Sequence, residues 1–187
     1  MNPRQTTNRL RHARAMFALP AGDDDPTRRP ALRAARDAAR ALSDLSPGDV
    51  ALLTGPSGCG KSTALRMLRR RLARKGRAVV RPPAHLSRRL ATIDQVGDDL
   101  HAALRLLGAA GLAEAALLPR TINTLSTGQR ARLTIAAAMD RCTPGCVLIV
   151  DEFAAVLGRA TACSMAAALA RWCRRTRVTL VVAAARD

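Results

Sequence analysis

The eight residues Gly55-Pro56-Ser57-Gly58-Cys59-Gly60-Lys61-Ser62 constrain this chain more than any other stretch. They fit G-x-x-x-x-G-K-[ST], a loop pattern that requires a strand before it and a helix after it. A triphosphate needs several N–H donors converging on its oxygens, and only glycine at the tight positions lets a backbone wrap that closely. A helix starting at Lys61 points the positive end of its dipole at the phosphates. On this reading Lys61 reaches the β- and γ-phosphates and the Ser62 hydroxyl ligates magnesium. The nucleotide-binding set is the whole loop together with Thr63. The flanks supply the context. Residues 50–54 are a short apolar run that predicts a buried strand, and residues 61–74 place Leu65, Leu68 and Leu72 on one helical face.

A second apolar run, residues 147–150, ends in Asp151 and Glu152. A continuous apolar run of this length suits a buried parallel strand, and open α/β sheets place their sites at the C-terminal edge of such strands. Asp151 is the candidate to hold magnesium and Glu152 the candidate general base for an attacking water. A strand that merely ends in solvated acids is the alternative, and the phosphate loop weighs against it.

Between and around these motifs, strand and helix patterns alternate. Ser46-Pro47-Gly48 marks a turn, and residues 78–80 form a strand stopped by Pro82-Pro83. Helical patterns follow at 98–107, 112–118, 127–139 and 161–172, and a last strand at 178–184. The expected fold is α/β: a mainly parallel sheet flanked by helices, with a helical insertion over residues 98–124. A single domain carrying both motifs is expected over 45–187. Residues 1–44 carry nine arginines and an Asp/Pro-rich stretch at 22–30, and read as a basic, partly flexible extension with a short helix over 32–42.

Leu125-Ser126-Thr127-Gly128-Gln129 lies between the two phosphate-site motifs. Here the chain resembles the ATP-binding-cassette (ABC) family of ATPases, whose signature reads L-S-G-G-Q; Thr127 stands at the first glycine. The order of loop, signature and Asp-Glu strand is the family's order. Residues 151–157 and 159–162, with Ala15-Met16-Phe17 upstream, look like soluble ABC-type ATPases associated with acetyltransferase-type domains, although no such domain is visible. The resemblance implies a P-loop NTPase fold, ATP and Mg2+ as cofactors, and a head-to-tail dimer with itself or a related ATPase. Ser126, Thr127, Gly128 and Gln129 would then act in trans on the other subunit's γ-phosphate. Physically, a serine at a helix N-terminus suits an anion. The other reading is a plain N-cap.

Three positions depart from the family. Gly158 stands where an Asp is usual, Arg186 where a His is usual, and the chain stops at Asp187 where relatives continue. Gln95 is the only glutamine between the loop and the signature, and is the candidate for the family's magnesium- or water-binding glutamine. Lost transition-state contacts commonly cost on the order of 10²–10³ in rate, so the expectation is an ATPase that is slow alone.

Charge keeps other partners in view. The formal charge is +17, with 29 of 31 basic residues arginine. Coding bias in an Ala- and Arg-rich chain is one origin of that preference, and a polyanion-binding surface is the other. Residues 50–93 hold eleven basic residues and no acid, so nucleic acid is a candidate partner through 66–89; a wet helical face is the plainer reading of Arg66, Arg69, Arg70 and Arg74. The five cysteines lack paired metal spacing and read as small buried apolar residues. No apolar run approaches the ~20 residues of a membrane span, and no secretory signal precedes the domain, so a cytoplasmic protein without membrane insertion is expected. The ATP-binding subunit of a membrane transporter remains the competing reading.

Overall fold

The computed structural model describes residues 28–153 and 157–185, with Arg9 and Met16. Readings placed on Ala15, Phe17, residues 22–27, residues 154–156 and Arg186 lie outside the described residues. The elements are α1 (Arg28–Leu42), β1 (Val50–Gly55), α2 (Lys61–Arg74), β2 (Val79–Val80), α3 (Leu100–Ala109), α4 (Thr127–Asp140), β3 (Val147–Val150), α5 (Arg159–Thr176) and β4 (Thr179–Ala185). The strands pair in the order β1-β4-β3-β2, and every pair is parallel. Parallel neighbours cannot be joined by tight hairpins, so helices carry the crossovers and cover both faces.

The two central strands show how the layers form. Alternate residues of a strand face opposite sides. Val147 and Ile149 of β3 pack with Val181 and Ala183 of β4 against Leu65, Leu68 and Leu72 of α2, with Ala39 of α1 behind. Leu148 and Val150 face the other way, with Leu180 and Val182, against Met165, Leu169 and Cys173 of α5 and Ile135 and Met139 of α4. The opposite side of α4 supplies Leu133, Ala136 and Ala137 to a separate apolar cluster with Leu107, Leu112 and Leu117. This helix therefore joins the sheet to the helical section.

Three expectations need correction. The run at 50–54 is not a buried strand: β1 is an edge, with Val50 and Leu52 exposed by 42% and 61%. Their register places them on the face of Leu180 and Val182, but the cluster on that face covers β3 and β4 and stops short of β1. An apolar run reveals a strand without revealing whether it has neighbours on both sides. The helical piece at 112–118 shrinks to one 3-10 turn, Ala115–Leu117, because Gly111 and Pro119 leave no room for more; Leu112 and Leu117 are still buried. Among the cysteines, Cys146 and Cys173 are buried and Cys59 and Cys142 half-buried, whereas Cys163 is exposed on α5. Burial and the neighbouring Cys146 push the Cys173 thiol up to about 12, and the Cys142 thiol is raised further for the same reasons.

Helix α1 starts four residues earlier than its sequence pattern suggests. Its small residues Ala35 and Ala39 are buried against α2, so the two helices approach closely. At the lower edge of the sheet Arg77 acts as a clamp. Its guanidinium donates to Leu45 O at 2.8 Å, Thr179 Oγ1 at 3.0 Å and Gly145 O at 3.4 Å, and Thr179 Oγ1 in turn donates to Ser46 O at 2.9 Å.

Candidate nucleotide site

Strand β1 ends at Gly55, and α2 begins six residues later at Lys61. The turn between them relies on Gly58 at φ +80° and Gly60 at φ +100°, values that side-chain-bearing residues rarely adopt. Gly60 also faces α1: a Cβ there would stand in ordinary contact with it, 3.5 Å from Ala31 O. Nothing in the sequence signals this approach of α1 to the loop, because the helix pattern does not say what it packs on. Gly60 O accepts from Ala64 N at 2.8 Å and so starts α2. The Lys61 ammonium donates to Gly55 O at 2.7 Å and Pro56 O at 2.8 Å, which ties the loop to the helix that follows it.

Two strands away, β3 delivers Asp151 and Glu152 at the same edge of the sheet. Glu152 has φ +54°, its N–H donates to Asp151 Oδ1 at 3.1 Å, and Phe153 N rejoins β4 through Ala183 O at 2.8 Å. The left-handed residue turns the chain off the strand end and leaves both acids exposed. A cavity of about 460 Å³ is lined by Ser57, Gly58, Lys61, Ser62 and Thr63 on one side and by Asp151 and Glu152 on the other. Residues 90 positions apart thus share one wall-to-wall space. The donor set fits magnesium: Ser62 and Asp151 offer hard oxygens, and among the described residues no group of three His, Cys, Asp or Glu forms a full protein cage. Magnesium typically takes one or two protein oxygens and completes its shell from water and phosphate.

Other predicted residues stand apart from this cavity. Ser126 is the N-cap of α4 in a reciprocal capping box: Ser126 Oγ accepts from Gln129 N at 3.2 Å, and Ser126 N donates to Gln129 Oε1 at 2.8 Å. Ser126 and Thr127 are exposed, Gly128 half-exposed, and none of the four lines the cavity with Lys61. Gln95 closes a 3-10 turn, and its amide donates to Ser87 O at 2.7 Å and Leu90 O at 3.2 Å; it too lies off the cavity wall. Gly158 is the N-cap of α5 and provides no side-chain cap.

The family model described as ABC transporter matches residues 40–155, more than half of the chain. The chain belongs to this ABC family. The match runs from the end of α1 through the phosphate loop and signature to the Asp-Glu pair. Among solved structures, the dimeric post-hydrolysis state of the ATP-binding cassette MJ0796 bound to ADP and Pi is similar, with 20% identity over 75% of this chain and 76% of that one, at a TM-score of 0.57. A dimeric structure of the bacterial ABC transporter cassette MJ0796 is 19% identical over 74% and 76% of the two chains, with a TM-score of 0.54. At these identities the likeness shows the fold: a P-loop NTPase sheet flanked by helices. No curated protein matches the chain.

Proposed function

We propose that this chain is an ABC-type ATPase that binds ATP with magnesium and hydrolyses it in a head-to-tail dimer. The observation that carries the reading is the shared cavity of Lys61, Ser62, Asp151 and Glu152. Lys61 would exchange the Gly55 and Pro56 carbonyls for phosphate oxygens, since its ammonium already sits beneath the loop. Ser62 and Asp151 would hold magnesium, which neutralises phosphate charge when bound. Glu152 would take a proton from the attacking water, and its exposed carboxylate leaves room for one. The exposed N-terminus of α4, with Ser126 and Gly128, would meet the partner copy's γ-phosphate. Dimeric assembly in the similar MJ0796 cassette supports that arrangement. Gln95 would need its amide released from Ser87 and Leu90 before it could serve the metal or the water.

Turnover is proposed to be slow in the isolated protein. Gly158 offers no carboxylate to couple two sites, and Arg186 stands in for a His. The residues after Glu152 resemble soluble ATPases associated with acetyltransferase-type domains, which favours a cytoplasmic enzyme over a transporter subunit. Among the described residues no helix is long and apolar enough to cross a membrane. A nucleotide-dependent nucleic-acid binder is the second reading, favoured by the exposure of Arg66, Arg69, Arg70, Arg74, Arg81, Arg88 and Arg89. Magnesium-ATP binding and turnover by the wild type, Lys61→Ala and Glu152→Gln test the proposal, with sizing of Glu152→Gln in ATP. Loss of affinity in Lys61→Ala, and an ATP-dependent dimer with lost turnover in Glu152→Gln, are expected. Neither nucleotide affinity nor dimerisation in any variant would overturn it.

A further inference from the structure

A second cavity, of about 360 Å³, abuts the first and shares Ser62 and Asp151 with it. Its remaining wall is basic. Arg66 and Arg69 follow Ser62 at spacings of four and seven residues, which puts all three on one face of α2. Arg81 comes from the opposite side. It follows β2 directly, and the register Val80↔Leu148 sets it beside Ile149, another lining residue. Exposed arginines on a helix are ordinary as a solvated face. These three differ because two separate elements turn them into one concavity.

No carboxylate among the described residues forms an ion pair with them. Among the described residues the ion pair is Lys75–Asp44, on another part of the surface. Among the described lining residues the one carboxylate is Asp151, which is also the proposed magnesium holder, so a bound cation there would leave those side chains net positive. Guanidiniums that converge without counterions repel one another, and an oxyanion removes that repulsion with charge-assisted hydrogen bonds. We propose that Arg66, Arg69 and Arg81 form a binding site for a phosphate group separate from the nucleotide. Two sources carry that chemistry: free phosphate, including the product of hydrolysis, and the backbone phosphate of a nucleic acid.

The proposal stands beside the nucleotide reading and is testable apart from it. Inorganic phosphate is titrated calorimetrically into the full chain at low salt, with and without saturating magnesium-ADP. Saturable binding is expected, weakened about tenfold for each arginine removed in Arg66→Ala and Arg81→Ala, with ADP affinity unchanged. Retained ADP affinity also shows that the variants are folded. Phosphate binding of equal strength in wild type and double variant, or none in a wild type that binds ADP, would overturn the site. If ADP itself does not bind, the nucleotide reading fails while the titration without nucleotide still reads the arginines. A single-stranded oligonucleotide decides the source. Displacement of phosphate by the strand, lost in the double variant, assigns a nucleic-acid backbone; saturable phosphate binding indifferent to the strand assigns free phosphate.

Discussion

Glu152 combines a proposed catalytic role with a left-handed backbone, and the two can be separated by substitution. At φ +54° a residue with a Cβ stores about 1–2 kcal/mol relative to an ordinary conformation. Glycine removes that penalty but loses about 0.5–1 kcal/mol more entropy on folding. The net expectation for Glu152→Gly is a gain of about 0.5–1 kcal/mol over Glu152→Gln. The comparison with Gln matters. Both variants remove the negative charge beside Asp151, so relief of repulsion cancels. The Glu152 side chain is exposed, so little packing is lost in either. A gain of this size should raise the melting temperature by about 1–4 °C in a protein of this length. Thermal unfolding by circular dichroism, run on both variants without nucleotide, reads the difference, and both variants should lack turnover. If Glu152→Gly melts at or below Glu152→Gln, the residue is not a strained hinge and the argument fails.

Other perturbations follow from local geometry. Gly97 sits at φ +76° with a virtual Cβ 2.6 Å from Ala103 N, so Gly97→Ala should cost about 2–4 kcal/mol in urea unfolding; a cost below 1 would contradict the packing. Arg77→Ala removes the clamp between Leu45, Gly145 and buried Thr179 and should lower stability by about 2 kcal/mol, read by the same denaturation. Because Cys173 is raised from the ordinary 9.0 to about 12, its contribution to stability is complete below pH 9 and is lost as the pH rises towards 12. At pH 8 a thiol reagent should therefore label exposed Cys163 rapidly and leave Cys173 unlabelled until unfolding, as mass spectrometry would show. Gly158→Asp should add a helix cap worth a few tenths of a kcal/mol, and on the proposed mechanism it should also raise turnover in a phosphate-release assay.

The parts legible in the sequence are those whose chemistry fixes spacing. The phosphate loop needs its glycines and Lys61 in order, and Asp151-Glu152 needs a buried strand to carry it; both could be read without knowing any neighbour. The helix starting at Thr127 was readable because Ser126 and Gln129 form a cap within four residues. What escaped depends on distant partners. The edge position of β1 follows from strand order, and no local pattern records that order. The approach of Ala31 to Gly60 depends on how α1 docks, and the convergence of Arg66 and Arg69 with Arg81 depends on β2 lying beside β3. Periodicity identified the wet face of α2, but it could not show that the face bends round a cavity shared with Ser62.

The capping box bears on how Ser126 could serve a second copy. Four N–H groups open a helix without partners. In α4 the Gln129 N–H is taken by Ser126 Oγ, and the Ser126 N–H is taken by Gln129 Oε1. Among the described residues the Thr127 and Gly128 N–H groups have no such side-chain partner, and Ser126 Oγ accepts in the box without donating to another group. The bonds that cap the helix therefore fix Ser126 in one orientation and leave three donors at the exposed tip. An anion is the ligand such a tip favours, because the helix dipole and all three donors act in the same sense. On the proposed head-to-tail arrangement, the plain N-cap and the trans phosphate contact would not exclude each other. The cap would then preorganise that proposed contact, with Gln129 as a positioning residue for Ser126.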